Sequence, residues 1–216
     1  MNVSPSKENI LKRIRKALSH PTPLPFPQSE GNYPVMQTQS DDLAVEFAQR
    51  FSALQGKFVF CSDAVDCATQ LKGLFESRGW DKIVCRDNAL QEVIGLALPS
   101  FTFHDDLSSS DSAVTGCEFL VSRTGTIVLS SSDAGGRTTS VYSPVHICIA
   151  FSDQLVYDIK DALSNMKERC GNRLPSMISF ATGPSRTADI EKTLVVGVHG
   201  PGEVFVFLVD APKVKD

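Results

Sequence analysis

The chain has 216 residues, 42% of them hydrophobic and 21% charged, enough apolar material for one packed domain and unlike a mainly disordered chain. Its 21 basic residues are outnumbered by 25 acidic ones, for a net charge of −4, so nucleic acid is not an expected partner. No apolar run reaches the ~18–20 residues of a membrane-spanning helix, and the amino terminus lacks an apolar signal core; a cytoplasmic protein with no membrane span is expected.

The first predicted element runs from Ser4 to Ser19. Ser4 is a candidate cap, Pro5 suits the first helical position, and Glu8 falls in the first turn. Ile10, Leu11, Ile14, Ala17 and Leu18 then recur at helical spacing, with Lys12, Arg13, Arg15 and Lys16 on the opposite side. Such a helix reads as a docking element for its own domain or a partner subunit. Pro21, Pro23, Pro25, Pro27 and Pro34 exclude helix and central strand from the next stretch. The organisation expected is an amphipathic helix over 1–20, a proline-rich tether over 21–40 and an α/β domain over 41–216.

Within that domain a helix is predicted over Asp42–Leu54 and a strand over Lys57–Cys61. Asp63 caps a helix carrying Ala64, Cys67, Ala68, Leu71, Leu74 and Phe75 on one face, and Gly79 ends it. A strand at Lys82–Cys85 and a helix capped by Asn88 follow. Strands are predicted at Ser112–Thr115, Gly125–Ser130 and Val145–Phe151. A helix lies within Leu155–Arg169, and strands at Met177–Ala181 and Glu203–Asp210 complete the pattern. Apolar strands alternating with helices point to an α/β fold whose mostly parallel, Rossmann-like sheet has helices on both faces. Ligands in such folds sit beyond the carboxyl ends of the strands.

The six cysteines (Cys61, Cys67, Cys85, Cys117, Cys148, Cys170) form no C-x-x-C pair and none stands beside a histidine at zinc-ligand spacing. No metal or iron–sulfur site is expected on this chain. Cysteines within runs such as Ile147-Cys148-Ile149 read as small buried hydrophobes in a reducing compartment.

Three loops bear candidate chemistry. In the first, Gly183 and Pro184 form a bend and Ser185 or Thr187 caps a helix bearing Asp189 and Glu191. Its backbone N–H groups, with Arg186, would hold an anion. In the second, Gly197-Val198-His199-Gly200-Pro201-Gly202, the imidazole of His199 is a candidate proton carrier, oriented by Asp189 or Glu191. The third comprises Thr124, Gly125 and Thr126 with Arg137 beyond the following strand; Glu118 is a further acidic candidate. Phosphate-loop, dinucleotide, zincin and esterase motifs are absent from the sequence.

Gly183-Pro184-Ser185-Arg186-Thr187-Ala188-Asp189-Ile190-Glu191, followed by Val196-Gly197-Val198-His199-Gly200-Pro201, closely resembles the carboxy-terminal signature of the lactate utilization protein C (LUD domain) family. Thr124-Gly125-Thr126-Ile127-Val128-Leu129 is similar to its T-G-T strand, and Ile10–Leu18 to its first helix. The family pattern places an acidic residue just before T-G-T, where this chain has Arg123. The resemblance implies a fold like that of glucosamine-phosphate isomerase, ribose-phosphate isomerase and coenzyme A transferases. It also implies a subunit of a bacterial L-lactate oxidation complex, a component of an oxidising L-lactate dehydrogenase whose iron–sulfur clusters reside in partner proteins.

A small carboxylate or phosphate-bearing ligand is then expected between Thr124, Gly125, Thr126, Arg137, Gly183, Pro184, Ser185, Arg186, Thr187 and Gly200, with His199, Asp189 and Glu191 as the catalytic groups. The alternatives are a non-catalytic assembly or regulatory subunit, or a stand-alone transferase or ligase on the same fold.

Overall fold

Side-chain alternation along two long strands decides the architecture. In β6 (Val145–Phe151) and β11 (Glu203–Val209) every residue is apolar except His146 and Glu203, so both sheet faces must be covered. Ile147, Ile149, Phe151, Phe205, Phe207 and Val209 pack on one side; Cys148, Ala150, Val204, Val206 and Leu208 pack on the other. The computed structural model describes residues 5–19, 42–171, 173–187 and 195–212, which divide into two compact units, Met1–Thr38 and Gln39–Asp216.

In the first unit, α1 (Pro5–Leu18) has Glu8 in its first turn and Arg15 and Lys16 in its last, which complements the helix dipole. Its Ile10, Leu11 and Ile14 are exposed. The predicted tether over 21–40 lies outside the described residues.

In the second unit, α2 (Leu43–Ala53) precedes β1 (Lys57–Cys61), α3 (Ala64–Arg78), β2 (Ile83–Cys85), α4 (Asn88–Gly95) and β3 (Ser112–Thr115). With β6 and β11 these strands form a five-stranded sheet in the order β1-β11-β6-β3-β2, parallel throughout. Each of these helices begins on an aspartate. Asp42 accepts from the N–H groups of Ala44 and Val45, Asp63 from that of Asp66, and Asp87 from those of Ala89 and Leu90. Asp87, rather than Asn88, is thus the cap of α4. Gly79, at φ 65°, ends α3.

α3 and α4 cover one sheet face, where Leu71, Phe75, Leu90 and Ile94 meet the strands. The other is covered by Phe47 and Phe51 of α2 and by a second sheet in the order β7-β4-β5-β8. Its strands are β4 (Phe119–Val121), β5 (Thr126–Ser130), β7 (Leu155–Val156) and β8 (Ile178–Ala181). Leu120, Ile127 and Leu129 face the parallel sheet, while Phe119, Val121 and Val128 face Ala162 and Met166 of α5 (Ile159–Cys170). The α/β class and the mostly parallel central sheet are as expected; β4 and β7 had no counterpart among the predicted elements.

Arg123, in the turn between β4 and β5, forms a two-pronged ion pair with Asp158, the N-cap of α5, at 2.8 and 3.3 Å. This partly exposed pair contributes little. Arg123→Ala is expected to lower the urea unfolding free energy by no more than about 1 kcal/mol; a larger loss would make Arg123 a structural keystone.

Candidate functional site

The bend after β8 and the bend before β11 meet. The Ser185 N–H donates to the Pro201 carbonyl at 2.9 Å, and the Gly197 N–H donates to the Ser185 carbonyl at 3.0 Å. Together they wall a cavity of about 310 Å³ lined by Gly183, Pro184, Ser185, His199, Gly200 and Pro201, with Ser140, Ser179 and Thr182 supplying hydroxyls. His199 is exposed. The cavity lies at the amino edge of the parallel sheet, because Gly202 leads straight into β11. This corrects the expectation of a site at the carboxyl ends: the strand before the first bend, β8, belongs to the second sheet.

His146, 1% exposed, also lines this cavity and was not among the sequence candidates. Thr115 Oγ1 donates to the Gly116 carbonyl at 2.9 Å, which uses its only hydrogen. His146 Nε2 lies 2.8 Å from the same Thr115 Oγ1, which holds the ring in place. Burial pulls the imidazole down to about 4, so the ring is uncharged at neutral pH.

The remaining candidates are placed as follows. Thr124 Oγ1 lies 2.7 Å from Thr126 Oγ1, which lies 2.9 Å from Thr182 Oγ1, so the T-G-T hydroxyls run to the cavity rim. Gly125 serves packing: at φ 62°, its missing Cβ would stand 2.7 Å from the Phe51 backbone nitrogen in α2. Gly183 does likewise, with φ 78° and the Leu54 carbonyl 2.8 Å from where a Cβ would be.

The arginines point away from the cavity. The guanidinium of Arg186 donates to the Leu54 carbonyl at the end of α2, and that of Arg137 to Ser176 Oγ at 2.6 Å. Glu118 is buried and receives hydrogen bonds from Ser130, at 2.5 Å, and from Arg169. Arg186 and Thr187 form β9, paired antiparallel with β10 (Val195–Val196), so Ser185 starts no helix; the predicted helix beyond Thr187 lies outside the described residues. The Ser185 and Gly197 bonds prolong that ribbon. Asp189 and Glu191 lie outside the described residues.

Six free cysteines are present, five of them buried. The Cys67 thiol is pushed up by its hydrogen bond with Cys61 and by burial, and burial pushes Cys85 up to about 12. Such thiols stay protonated and unreactive. Among the described residues no three cysteine, histidine or acidic side chains gather as a metal site. The cysteines among the described residues, dispersed and mostly buried, do not fit an iron–sulfur cluster.

A parallel sheet backed by α3 and α4 on one side and by α2 with a second sheet on the other, with an imidazole-lined cavity at its amino edge, defines an α/β domain of a known type. The same fold occurs in the crystal structure of a DUF162 family protein from Deinococcus radiodurans, at a TM-score of 0.56 and 20% identity over 77% of this chain and 96% of that one. The chain belongs to the LUD domain family, whose sequence profile matches residues 44–209. Similar proteins include "Lactate utilization protein C" of Shouchella clausii, 38% identical over 47% of this chain and 44% of that protein, and its namesake from Deinococcus radiodurans, 35% identical over 49% and 50%. An uncharacterized protein of Neisseria meningitidis is 33% identical over 46% of this chain and 42% of that protein. The chain thus matches about half the length of these curated relatives. No helix among the described residues is long and apolar enough to cross a membrane.

Proposed function

We propose that this chain serves lactate utilisation as a subunit of an L-lactate oxidation complex and binds a small anionic ligand in the His146–His199 cavity. Relatives named for lactate utilisation supply the biological setting. The observation that carries the site is the junction of the two bends, which puts the exposed His199 and the buried His146 on one cavity. With Arg137 and Arg186 turned elsewhere, the ligand's oxygens would be met by hydroxyls and imidazole rather than by a guanidinium fork. His146, neutral and fixed by Thr115, is a hydrogen-bond partner for the ligand, and the exposed His199 is assigned as the proton carrier of the reaction.

Removing hydrogen from the hydroxyl-bearing carbon of lactate also releases two electrons. The residues of this cavity cannot store them, so an iron–sulfur partner protein takes them up. In a complex reconstituted with such partners, His199→Ala is expected to reduce lactate turnover about 100-fold or more, with the complex still assembled on gel filtration. The purified chain alone is expected to oxidise no lactate without an added electron acceptor.

A second reading, a non-catalytic assembly subunit, draws on the packing of Gly125 and Gly183 against the end of α2, which accounts for both glycines without a ligand. Unchanged turnover in the His199→Ala complex would decide for that reading.

A further inference from the structure

The opposite edge of the parallel sheet holds a second cavity, of about 400 Å³. Its origin lies in the chain path. β1 is followed by α3 and then by β2 at the far edge of the sheet, after which β3, β6 and β11 return strand by strand to the side of β1. Crevices at the carboxyl ends of parallel strands are where open α/β sheets take their ligands. Gly116, Phe151 and Val209 are contributed from the ends of β3, β6 and β11, while Leu90, Val93 and Leu96 line it from α4. The volume falls within the roughly 300–1,000 Å³ of small-molecule pockets.

The chemistry of this crevice differs from that of the histidine cavity. Its walls are mainly aliphatic, and Leu96 stands 55% exposed. The charged side chains lining it are Asp87 and Glu92; no lysine, arginine or histidine is among the described lining residues. Asp87 is engaged by the N–H groups of Ala89 and Leu90, at 3.0 and 3.4 Å, whereas Glu92 is exposed. Two carboxylates repel an anion, and aliphatic walls favour a ligand with few polar atoms.

We infer that this crevice is a second ligand site, for a mainly apolar small molecule that carries no negative charge. Gly116 is its gatekeeper. The residue has no positive φ, and a Cβ there would have Leu90 Cδ1 as its nearest neighbour, at an ordinary 3.8 Å. A larger side chain at 116 would therefore fill the crevice without backbone strain. The site stands independently of the lactate reading.

The probes are N-phenyl-1-naphthylamine, which is neutral, and 1-anilinonaphthalene-8-sulfonate, which carries a comparable ring system and one negative charge, each titrated by fluorescence on the full chain. The neutral dye is expected to bind saturably and about tenfold more tightly than the sulfonate. Gly116→Leu should weaken the neutral dye about tenfold or more while leaving the melting temperature near that of the wild type. Glu92→Lys, at an exposed position, should bring the two dyes to within about threefold of each other. Should Gly116→Leu fail to fold, Leu96→Glu carries the same expectation for the neutral dye. Equal binding of both dyes by the wild type, or undiminished neutral-dye binding in a folded crevice variant, would overturn the assignment.

Discussion

Phe51→Ala is expected to lower the unfolding free energy by about 3–5 kcal/mol, the range for emptying a buried aromatic site. Phe51 is fully buried and stacks on Phe47 at 5.3 Å between ring centroids. The ring also closes over Gly56, where any Cβ would collide with it. Hydrophobic burial is only part of the argument, because the end of α2 is where several parts of the domain converge. Gly125 packs on the Phe51 backbone, Gly183 on the Leu54 carbonyl, and Arg186 hydrogen-bonds that same carbonyl. A cavity at position 51 would therefore loosen both the T-G-T turn and the first bend of the histidine cavity. Urea unfolding should show the loss as a lower midpoint with an unchanged slope. The control is Val45→Ala, at a position 49% exposed on the same helix, which should stay within about 0.5 kcal/mol of the wild type. A loss below about 1 kcal/mol for Phe51→Ala would mean that the site collapses around the smaller side chain, and α2 would not be the anchor described here.

Much of this fold is legible in the sequence where the signal is local. Asp63 and Gly79 bracket α3 because a carboxylate satisfies free N–H groups at its start and a left-handed residue closes its end. The strands Val145–Phe151 and Glu203–Val209 stand out because a strand buried on both faces leaves an unbroken apolar run. β4 is harder to see. It has three residues, and its partners in β5 and β7 are brought to it by the fold rather than by any pattern of its own. The pairing of Arg186 with Val196 is hidden for a related reason: it is a non-local bond that local propensity does not anticipate.

The same division holds for the site. That Gly183-Pro184 and His199-Gly200-Pro201 could be neighbours follows from their short separation in sequence; that Arg186 turns to α2 does not, since its acceptor is 132 residues away. His146 escapes notice inside Val-His-Ile-Cys-Ile-Ala-Phe because six apolar neighbours make the segment read as core. The usable signal was the one strongly polar side chain of that strand: a buried imidazole needs a hydrogen-bond partner, and it finds one in Thr115.

His146 also makes the domain acid-sensitive in a defined window. Its folded value near 4 lies below the ordinary 6.5, so between these limits the unfolded chain binds a proton that the native protein does not. Stability therefore falls as the pH drops through that interval, is independent of this group above it, and loses nothing more to it below. The depression corresponds to about 3 kcal/mol over the full interval. The lowered carboxylates act elsewhere. Glu203, held by hydrogen bonds from Lys57 and Arg78, and Asp158, where burial is outweighed by Arg123 together with the backbone N–H groups of Lys160 and Ile159, give up their contributions only as the pH falls through values below the ordinary carboxylate range. Urea unfolding at intervals from pH 7.5 to about 4.5 is expected to show a slope approaching 1.4 kcal/mol per pH unit from this group, and His146→Gln should remove that component even if the variant starts from a lower stability. An equally steep decline in the variant would assign the sensitivity to other groups. It would also free His146 to be cationic in the folded protein, and the ligand would then meet a charge on the cavity wall instead of a neutral hydrogen-bond partner.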